Sequence, residues 1–469
     1  MTLIIVAILI LGYVLIATSH ITNVNKAAVS IFMCTVGWVL YISYGTDFVM
    51  SQHPDEYAAF LGGAGHTSSN VKLFIADNIY IKYVGKAAEI MLFFLATMTI
   101  VEILLNNGCF DFIREILRTK KSRKLLWLMA AVTFLLSANL DNLTTTTMML
   151  VIMHSLVASR RQRILYGSSI VLAANCGGAL TVIGDPTGLF LWTNEAVTAT
   201  NFSAALAIPC LLAWIIPTYM IGRNLPETVA SESSYVLPYR GDDTNLNRTQ
   251  RLVMLFVGIG GLWFIPTFHS ITKLSPFLGA LCVLAVLWII NEIFNRKLMN
   301  ADQMIQKKFP RALQYGVVQM MLFVVGIMLA LGVVRETGIL TQLAAWCDAN
   351  IHNVWVLAAF TGLLSSVLDN FASAMSMFSI YPVIDAETLG GIFNAEYLSA
   401  FAQNGIFWKA TAFAAGTGGN ILLFGSMSGL ALIKMERIHI GWYIKNVGVY
   451  ALVGLIAGLA AMALAHMYL

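Results

Sequence analysis

The sequence predicts an all-α polytopic membrane protein built as two inverted repeats, each of five spans plus one re-entrant helical hairpin. Three observations lead there. Of the 469 residues, 58% are hydrophobic and only 11% are charged, against roughly 25% charged in a soluble protein; mean hydropathy is +0.76. A soluble fold of this size could not cover its surface with so few charges, which excludes a cytosolic enzyme, a nucleic-acid binder and a disordered chain. Ten windows are long and apolar enough to span, given the roughly 17 to 25 residues a bilayer requires. Two further apolar stretches, 125–159 and 349–384, each carry a single Asp and match no simple span.

The windows run in order along the chain. The first, 2–19, lacks a basic leader and an A-x-A site, so it reads as a retained span. Then come 27–45, 86–105, 164–190 and 202–222, and after a polar interval 251–269, 276–294, 314–334, 405–433 and 446–468. Basic residues set the orientation. Twenty-two of them, from Lys26 through the Arg118–Lys124 and Arg160–Arg163 clusters to Lys445, fall in one set of connections. Five (Lys72, Lys82, Lys86, Lys273 and Arg335) fall in the other, and Lys409 lies within a window. The richer side is cytoplasmic, which with ten spans leaves both termini outside. The six cysteines are scattered, with no zinc or CxxC spacing, and serve as apolar filler.

The stretch 125–159 has Asp141 as its only charge and basic residues on both flanks. As one helix it would be ~52 Å long against a hydrocarbon core of ~30 Å. It therefore enters and leaves on the cytoplasmic side, with its tip near Asp141. The stretch 349–384, whose only charge is Asp369, has no basic residue near it and dips in from outside. The tips resemble each other, Ser137-Ala-Asn-Leu-Asp141-Asn142 against Ser365-Ser-Val-Leu-Asp369-Asn370. Each hairpin is followed by a span interrupted by glycines, and Gly177-Gly178, Gly184 and Gly188 coincide without gaps with Gly418-Gly419, Gly425 and Gly429. The expected division is 1–222 for the first inverted repeat (hairpin 125–159, broken span 164–190), 223–250 for a cytoplasmic linker, and 251–469 for the second (hairpin 349–384, broken span 405–433).

Helices broken inside a bilayer leave polar backbone groups that only protein or a polar cavity can satisfy. Such breaks converging near the midplane are how secondary transporters bind substrate. The polar residues there tip the balance toward a cation: Asp141, Asp369 and Asp185, with Asn142, Asn175, Thr187, Ser365, Asn370, Thr417, Asn420 and Ser426. These are hard oxygen ligands, suited to Na⁺ or Li⁺, with Na⁺ expected at Asp141 and Asp369. No Arg lies in either motif to clamp a carboxylate substrate. A lone intramembrane Asp can be a helix cap, and Asp185 before Pro186 can be a turn residue; two Asp in matching motifs argue for function. Glu89 and Glu102, ~20 Å apart along the third span, are either proton-path residues or interfacial charges. Lys409 reads as a snorkelling end residue, and His154 as structural. No cofactor is expected.

The tip Ser137–Asn142 followed by Leu-Thr-Thr-Thr-Thr resembles the NhaD-type sodium/proton antiporters. So do Asn25-Lys26-Ala-Ala, Met98-Thr-Ile-Val-Glu102 and Gly-Thr-Gly-Gly at 416–419. The resemblance covers nearly the whole chain. It implies the ion-transporter superfamily fold, shared with dicarboxylate and arsenite carriers, and a homodimer that moves substrate by an elevator-like shift. The family's functional carboxylates and amides map onto Asp141, Asn142, Asn175, Asp185, Thr187, Ser365, Asp369 and Asn370. The chain departs from the antiporter pattern at Pro186-Thr187-Gly188, at Phe371-Ala372 and at Asn420, and its Gly-Asp-Pro is closer to the anion-carrier branches. The function expected is exchange of Na⁺ or Li⁺ for H⁺ across the inner membrane, with Asp141 and Asp369 binding cation and proton in turn. The rivals are a Na⁺- or H⁺-coupled carrier of citrate, dicarboxylate or arsenite, and, remotely, an intramembrane aspartyl protease.

Overall fold

The computed structural model describes residues 1–63, 65–230, 246–299, 311–384 and 395–468. Positions 231–245 of the expected linker lie outside the described residues, as do Lys307 and Lys308. Among the described residues the structure is helical, and its only strand-like pairings are isolated bridges between Lys121 and Thr228 and between Ile384 and Ala402.

The first helices are α1 (Thr2–Ala17), α2 (Lys26–Ser43) and α3 (Ile81–Asn106), the last entered through a π-helical turn at Ile75–Tyr80. Next come α4 (Ser122–Ser137) and α5 (Asn142–Leu156), then α6 (Arg160–Leu180), α7 (Pro186–Thr193) and α8 (Ala199–Gly222). The second half runs α9 (Arg248–Thr272), α10 (Pro276–Met299), α11 (Arg311–Glu336) and α12 (Ile339–Asn350). It ends with α13 (Val354–Val367), α14 (Asn370–Ile380), α15 (Ile406–Gly418), α16 (Met427–Glu436) and α17 (Val449–Tyr468).

Seven continuous helical segments are long and apolar enough to cross a bilayer: Lys26–Ser43, Ser68–Asn106, Ala199–Gly222, Arg248–Thr272, Pro276–Asn295, Val318–Glu336 and Ile440–Tyr468. They fall on seven of the ten windows. Of the other three, the window at 2–19 holds the 16-residue α1, while those at 164–190 and 405–433 are each split into two shorter helices. Side chains such as Leu3, Phe256 and Ile271 are more than three-quarters exposed on these helices, a surface that water would not support over so many helices. The protein is a multi-pass membrane protein.

Two bodies of helices can be traced by their packing. In one, α2 lies on α11 and α3 on α10, with α1 and α9 outside them. The Nε1–H of Trp38 in α2 donates to the Leu329 carbonyl of α11 at 3.1 Å. In the other, α4 packs on α6, α13 on α15, α6 on α15 and α8 on α17. The turns between α1 and α2 and between α9 and α10 follow the same path. Asn23 and Lys273 take left-handed φ values of 55° and 59°. One residue on, the amides of Val24 and Leu274 donate to the hydroxyls of Thr22 and Thr272.

Candidate functional site

Four helices begin at interruptions in the second body, and each is capped by its own side chain. Asp141 caps α5, its Oδ1 accepting from the Thr144 amide at 2.9 Å. Asp185 caps α7, accepting from the Thr187 amide at 2.9 Å, and Pro186 takes the first helical position, where no N–H is needed. Asp369 caps α14, accepting from the Phe371 amide at 3.2 Å. Ser426 caps α16, its Oγ accepting from the Gly429 amide at 3.0 Å. A capping oxygen satisfies one of the orphan donors of a helix start. An ionised cap also offsets the positive end of the helix dipole.

The two tips are mounted alike. Ser137 Oγ donates to the Ala174 carbonyl and Ser365 Oγ lies on the Ala415 carbonyl, both at 2.6 Å. Ser365 Oγ is also 3.0 Å from Asn370 Oδ1, so its one proton is shared between two acceptors. Two glycines permit the close approach. A Cβ on Gly184 would lie 2.8 Å from the carbonyl oxygens of Gly178 and Ser137. On Gly425 it would lie 2.5 Å from those of Ser365 and Ser366.

The amides form a chain between the halves. Asn142 Nδ2 lies 3.4 Å from Asn175 Oδ1, and Asn175 Nδ2 donates to Asn420 Oδ1 at 2.8 Å and to Ser426 Oγ at 2.9 Å. Asn370 Nδ2 donates instead to the Gly416 carbonyl at 3.2 Å. Asn142, Asp185, Asp369 and Asn370 line one cavity of about 20 Å³, together with Pro186, Phe371, Met427 and, from α11, Met320, Phe323 and Val324. That volume suits one water-sized occupant. Asp141 stands one residue from this lining, and Asp185 is within electrostatic reach of both Asp369 and Asp141.

Several oxygens at these helix starts are buried without a hydrogen-bond partner: Asp141 Oδ2, Asp369 Oδ2, Thr187 Oγ1, Thr145 Oγ1 and Ser373 Oγ. Thr145 and Ser373 each stand four residues after the capping Asp of their tip. Buried oxygens without donors are costly in apolar surroundings, and a small cation would satisfy them. Among the described residues, no three His, Cys, Asp or Glu side chains come together as a metal cluster. A cation here would therefore draw on hydroxyl, amide and carbonyl oxygens beside one or two carboxylates.

Lys26 is the residue that sequence reading misplaced. Counted among the basic residues of the connections, it is instead 5% exposed, at the start of α2. Its Nζ donates to the Phe424 carbonyl at 3.3 Å and lies 3.6 Å from Asp369 Oδ2. The signal was present in Asn25-Lys26-Ala-Ala, where Asn25 caps α2 through the Ala27 amide and so turns Lys26 into the bundle.

Other expected site residues stand apart from the cavity. Thr417 is buried, but its hydroxyl donates to the Phe413 carbonyl one turn back. Glu89 is partly exposed and 3.8 Å from Lys86. Glu102 is half-buried on α3, with Oε1 unpartnered. Two residues not expected in the site also have partners elsewhere: Lys409 donates to Asn201 Oδ1 at 2.9 Å. His154 Nε2 lies 2.6 Å from Glu436 Oε1, which also accepts from Arg163 Nε at 2.8 Å.

Comparison with known proteins follows the same lines. "Sodium/proton antiporter 1" of Arabidopsis thaliana is 33% identical over 387 residues, covering 81% of this chain and 62% of that protein. The chain thus spans less than two thirds of that relative. "Sodium/proton antiporter 2" of the same plant is 29% identical over 97% of this chain and 98% of its own length. The Na(+)/H(+) antiporter NhaD of Vibrio parahaemolyticus is 25% identical over 75% of this chain and 83% of its own. The resemblance to NhaD-type proteins therefore extends well beyond the tip motifs. The crystal structure of the Alcanivorax borkumensis YdaH transporter, 14% identical, aligns over 90% of this chain and 97% of that one with a TM-score of 0.48. The sequence profile described as citrate transporter, CitMHS, matches residues 1–402, and the chain belongs to that family.

Proposed function

We propose that the protein is a secondary active transporter that exchanges Na⁺ or Li⁺ for H⁺ across the inner membrane. One observation carries the reading. Three of the four half-helix starts are capped by buried carboxylates; Asp141 and three hydroxyls keep an oxygen without a hydrogen-bond partner, and the second oxygen of Asp369 has only Lys26, 3.6 Å away. Open helix starts attract anions. Here the caps fill them with negative charge, so the site favours a cation. Na⁺ or protons occupy Asp141 and Asp369 in turn, and Asp185 adds a third carboxylate. Asn142, Asn175, Asn370, Ser365, Thr187, Asn420 and Ser426 hold or orient the ligand oxygens. The relatives named as sodium/proton antiporters support the same reading.

The same proposal includes two inverted repeats, 1–222 and 251–469, with re-entrant hairpins at α4–α5 and α13–α14 and both termini outside. It is supported by the repeated helix order, the repeated turn at Asn23 and Lys273, and the matched Ser137 and Ser365 bonds. It also includes a homodimer in which the hairpin body slides against the body of α1–α3 and α9–α11.

A second reading is favoured by the family's description, citrate transporter: a Na⁺- or H⁺-coupled carrier of citrate or a related anion. No cation lines the cavity among the described residues, and Lys26, the lysine beside it, is already paired with Asp369. Na⁺-driven pH change in proteoliposomes of the purified protein, with and without citrate, separates the two. Exchange without added anion supports the antiporter. Exchange or uptake that appears only with citrate replaces it by the anion carrier.

A further inference from the structure

Away from the candidate site, a second and larger cavity of about 640 Å³ opens where α6 begins and where the chain runs on from α16 toward α17. Its size lies within the range of small-ligand pockets. Two kinds of surface meet in it. Ile164, Leu165 and Ile438 make an apolar floor, and the rim carries Arg160, Arg161, His439, Asn224, Asn446 and Trp442. No carboxylate lines it among the described residues.

The rim is rich in donors that have nothing to bond. Arg160 is fixed, its Nε and Nη2 donating to the Glu436 carbonyl at 3.2 and 2.8 Å and Nη2 to the Arg437 carbonyl at 3.0 Å, which leaves Nη1 free. The Arg161 guanidinium and Trp442 Nε1 have no hydrogen-bond partner among the described residues. Unbonded guanidinium and indole donors facing one concavity, with no acid to balance them, select an anion, and the fork of Arg suits phosphate oxygens. The neighbourhood is apolar on the outside. Tyr219 of α8 is 60% exposed and Val449 of α17 is 51% exposed, and a Trp beside a basic rim is the composition of a membrane interface. Basic pockets between helices at such an interface hold acidic headgroups.

We propose that this cavity binds one acidic phospholipid, with the headgroup phosphate on Arg161 and Arg160 Nη1, Trp442 at the glycerol level, and the acyl chains along the exposed faces of α8 and α17. The site does not depend on which ion the transporter carries.

The test is native mass spectrometry of the full-length purified protein released from detergent after equilibration with phosphatidylglycerol. Phosphatidylcholine with the same chains is the neutral control, and glycerol 3-phosphate is the headgroup without chains. Wild type retains phosphatidylglycerol over phosphatidylcholine. Arg161→Gln lowers that retention about fivefold, the scale of one basic residue at an anionic surface, and Arg161→Lys keeps most of it. Because Arg161 makes no bond within the described protein, Arg161→Gln keeps the wild-type thermal midpoint in phosphatidylcholine. Equal retention of the two lipids, or retention unchanged by Arg161→Gln, overturns the proposal. Displacement of phosphatidylglycerol by glycerol 3-phosphate alone also overturns it, in favour of a soluble organic phosphate.

Discussion

At the first tip, Asp141 gives one oxygen to the Thr144 amide and keeps the other without a partner. At the second, Asp369 gives one oxygen to the Phe371 amide and turns the other toward Lys26, 3.6 Å away. Much of what mounts the two carboxylates is shared: the serine bond to a carbonyl of the neighbouring helix, the glycine approach, and a cap on the helix that follows. The charge around them is not. In the register that sets Gly184 on Gly425, the second Asp, Asp185, falls on Ser426. In the register that sets Thr22 on Thr272, Lys26 falls on Pro276. The repeated backbone thus builds two matched sockets, and single side chains set their surroundings apart: a lysine beside Asp369 and none beside Asp141 among the described residues.

The sharpest test removes the charges. Asp141→Asn and Asp369→Asn are each expected to lower Na⁺-driven exchange by about a hundredfold or more, on the scale of losing a group that the translocated ion must contact. Both should insert and keep a wild-type elution profile, since Asn also caps a helix. Asp185→Asn is expected to be severe but smaller. Activity above half of wild type in either tip variant removes that residue from the mechanism. Loss of folded protein in both makes the pair structural.

Lys26 distinguishes the sockets. Lys26→Met frees Asp369 from its one cationic neighbour among the described residues, so the apparent Na⁺ constant should fall while the maximal rate drops about tenfold. The unpaired buried carboxylate should also lower stability, by roughly 3–5 kcal/mol if it stays ionised. Lys26→Met with Asp369→Asn should regain the lost thermal midpoint, and Lys26→Arg should keep most of the rate. An unchanged Na⁺ constant in Lys26→Met would mean that the lysine does not compete with the transported ion.

Gly184→Ala and Gly425→Ala test whether the shared mounting matters. Each Cβ meets backbone carbonyls, which cannot swing aside as a side chain can. We expect a loss of about 1–3 kcal/mol, the usual cost of overpacking, read as a lower thermal midpoint in both. A drop in one variant alone would mean that the tips are not equivalent.

Much of this was legible from the residues. The sole charges of 125–159 and 349–384, Asp141 and Asp369, marked both tips because an apolar stretch too long for one span must turn. The spacing of Gly177-Gly178, Gly184 and Gly188 located the break in 164–190, and its counterpart located that in 405–433. Asn142, Asp185, Asp369 and Asn370 do line one cavity. Lys26 is not legible in this way, because counting basic residues assigns every lysine at a span end to a connection. What buries it is the Asn25 cap together with the position of Phe424 and Asp369, about four hundred and three hundred and forty residues away in the chain. Thr417 has the residue type of a ligand, but its hydroxyl is spent on the helix behind it. The pairing of His154 with Glu436 joins two helices that no local pattern relates.

The smallest effect is expected at the far ends of α7 and α16, where the two halves differ again. Beyond α7, the Asn404 amide donates to the Ala196 carbonyl and the Thr198 amide to Asn404 Oδ1, both at 2.8 Å, a neutral tie. At the end of α16 the tie is ionic: Glu436 Oε1 accepts from Arg163, with His154 Nε2 at 2.6 Å. Burial pushes the Glu436 carboxyl up, but the bonds from His154 and Arg163 outweigh it and hold the group below its ordinary value. A carboxylate lowered on folding stabilises the protein above its unfolded pKa, about 4.3 for Glu. That contribution is lost as pH falls through the folded value. Glu436→Gln turns the ionic tie into a neutral one. It should cost about 1–3 kcal/mol at pH 7, leave exchange above half of wild type, and show a deficit in thermal midpoint that shrinks as pH is lowered below about 4. A deficit that does not change with pH would mean that the carboxylate's charge contributes nothing to the tie. Exchange as low as in Asp141→Asn would put Glu436 on the ion's path and make the end of α16 part of the site.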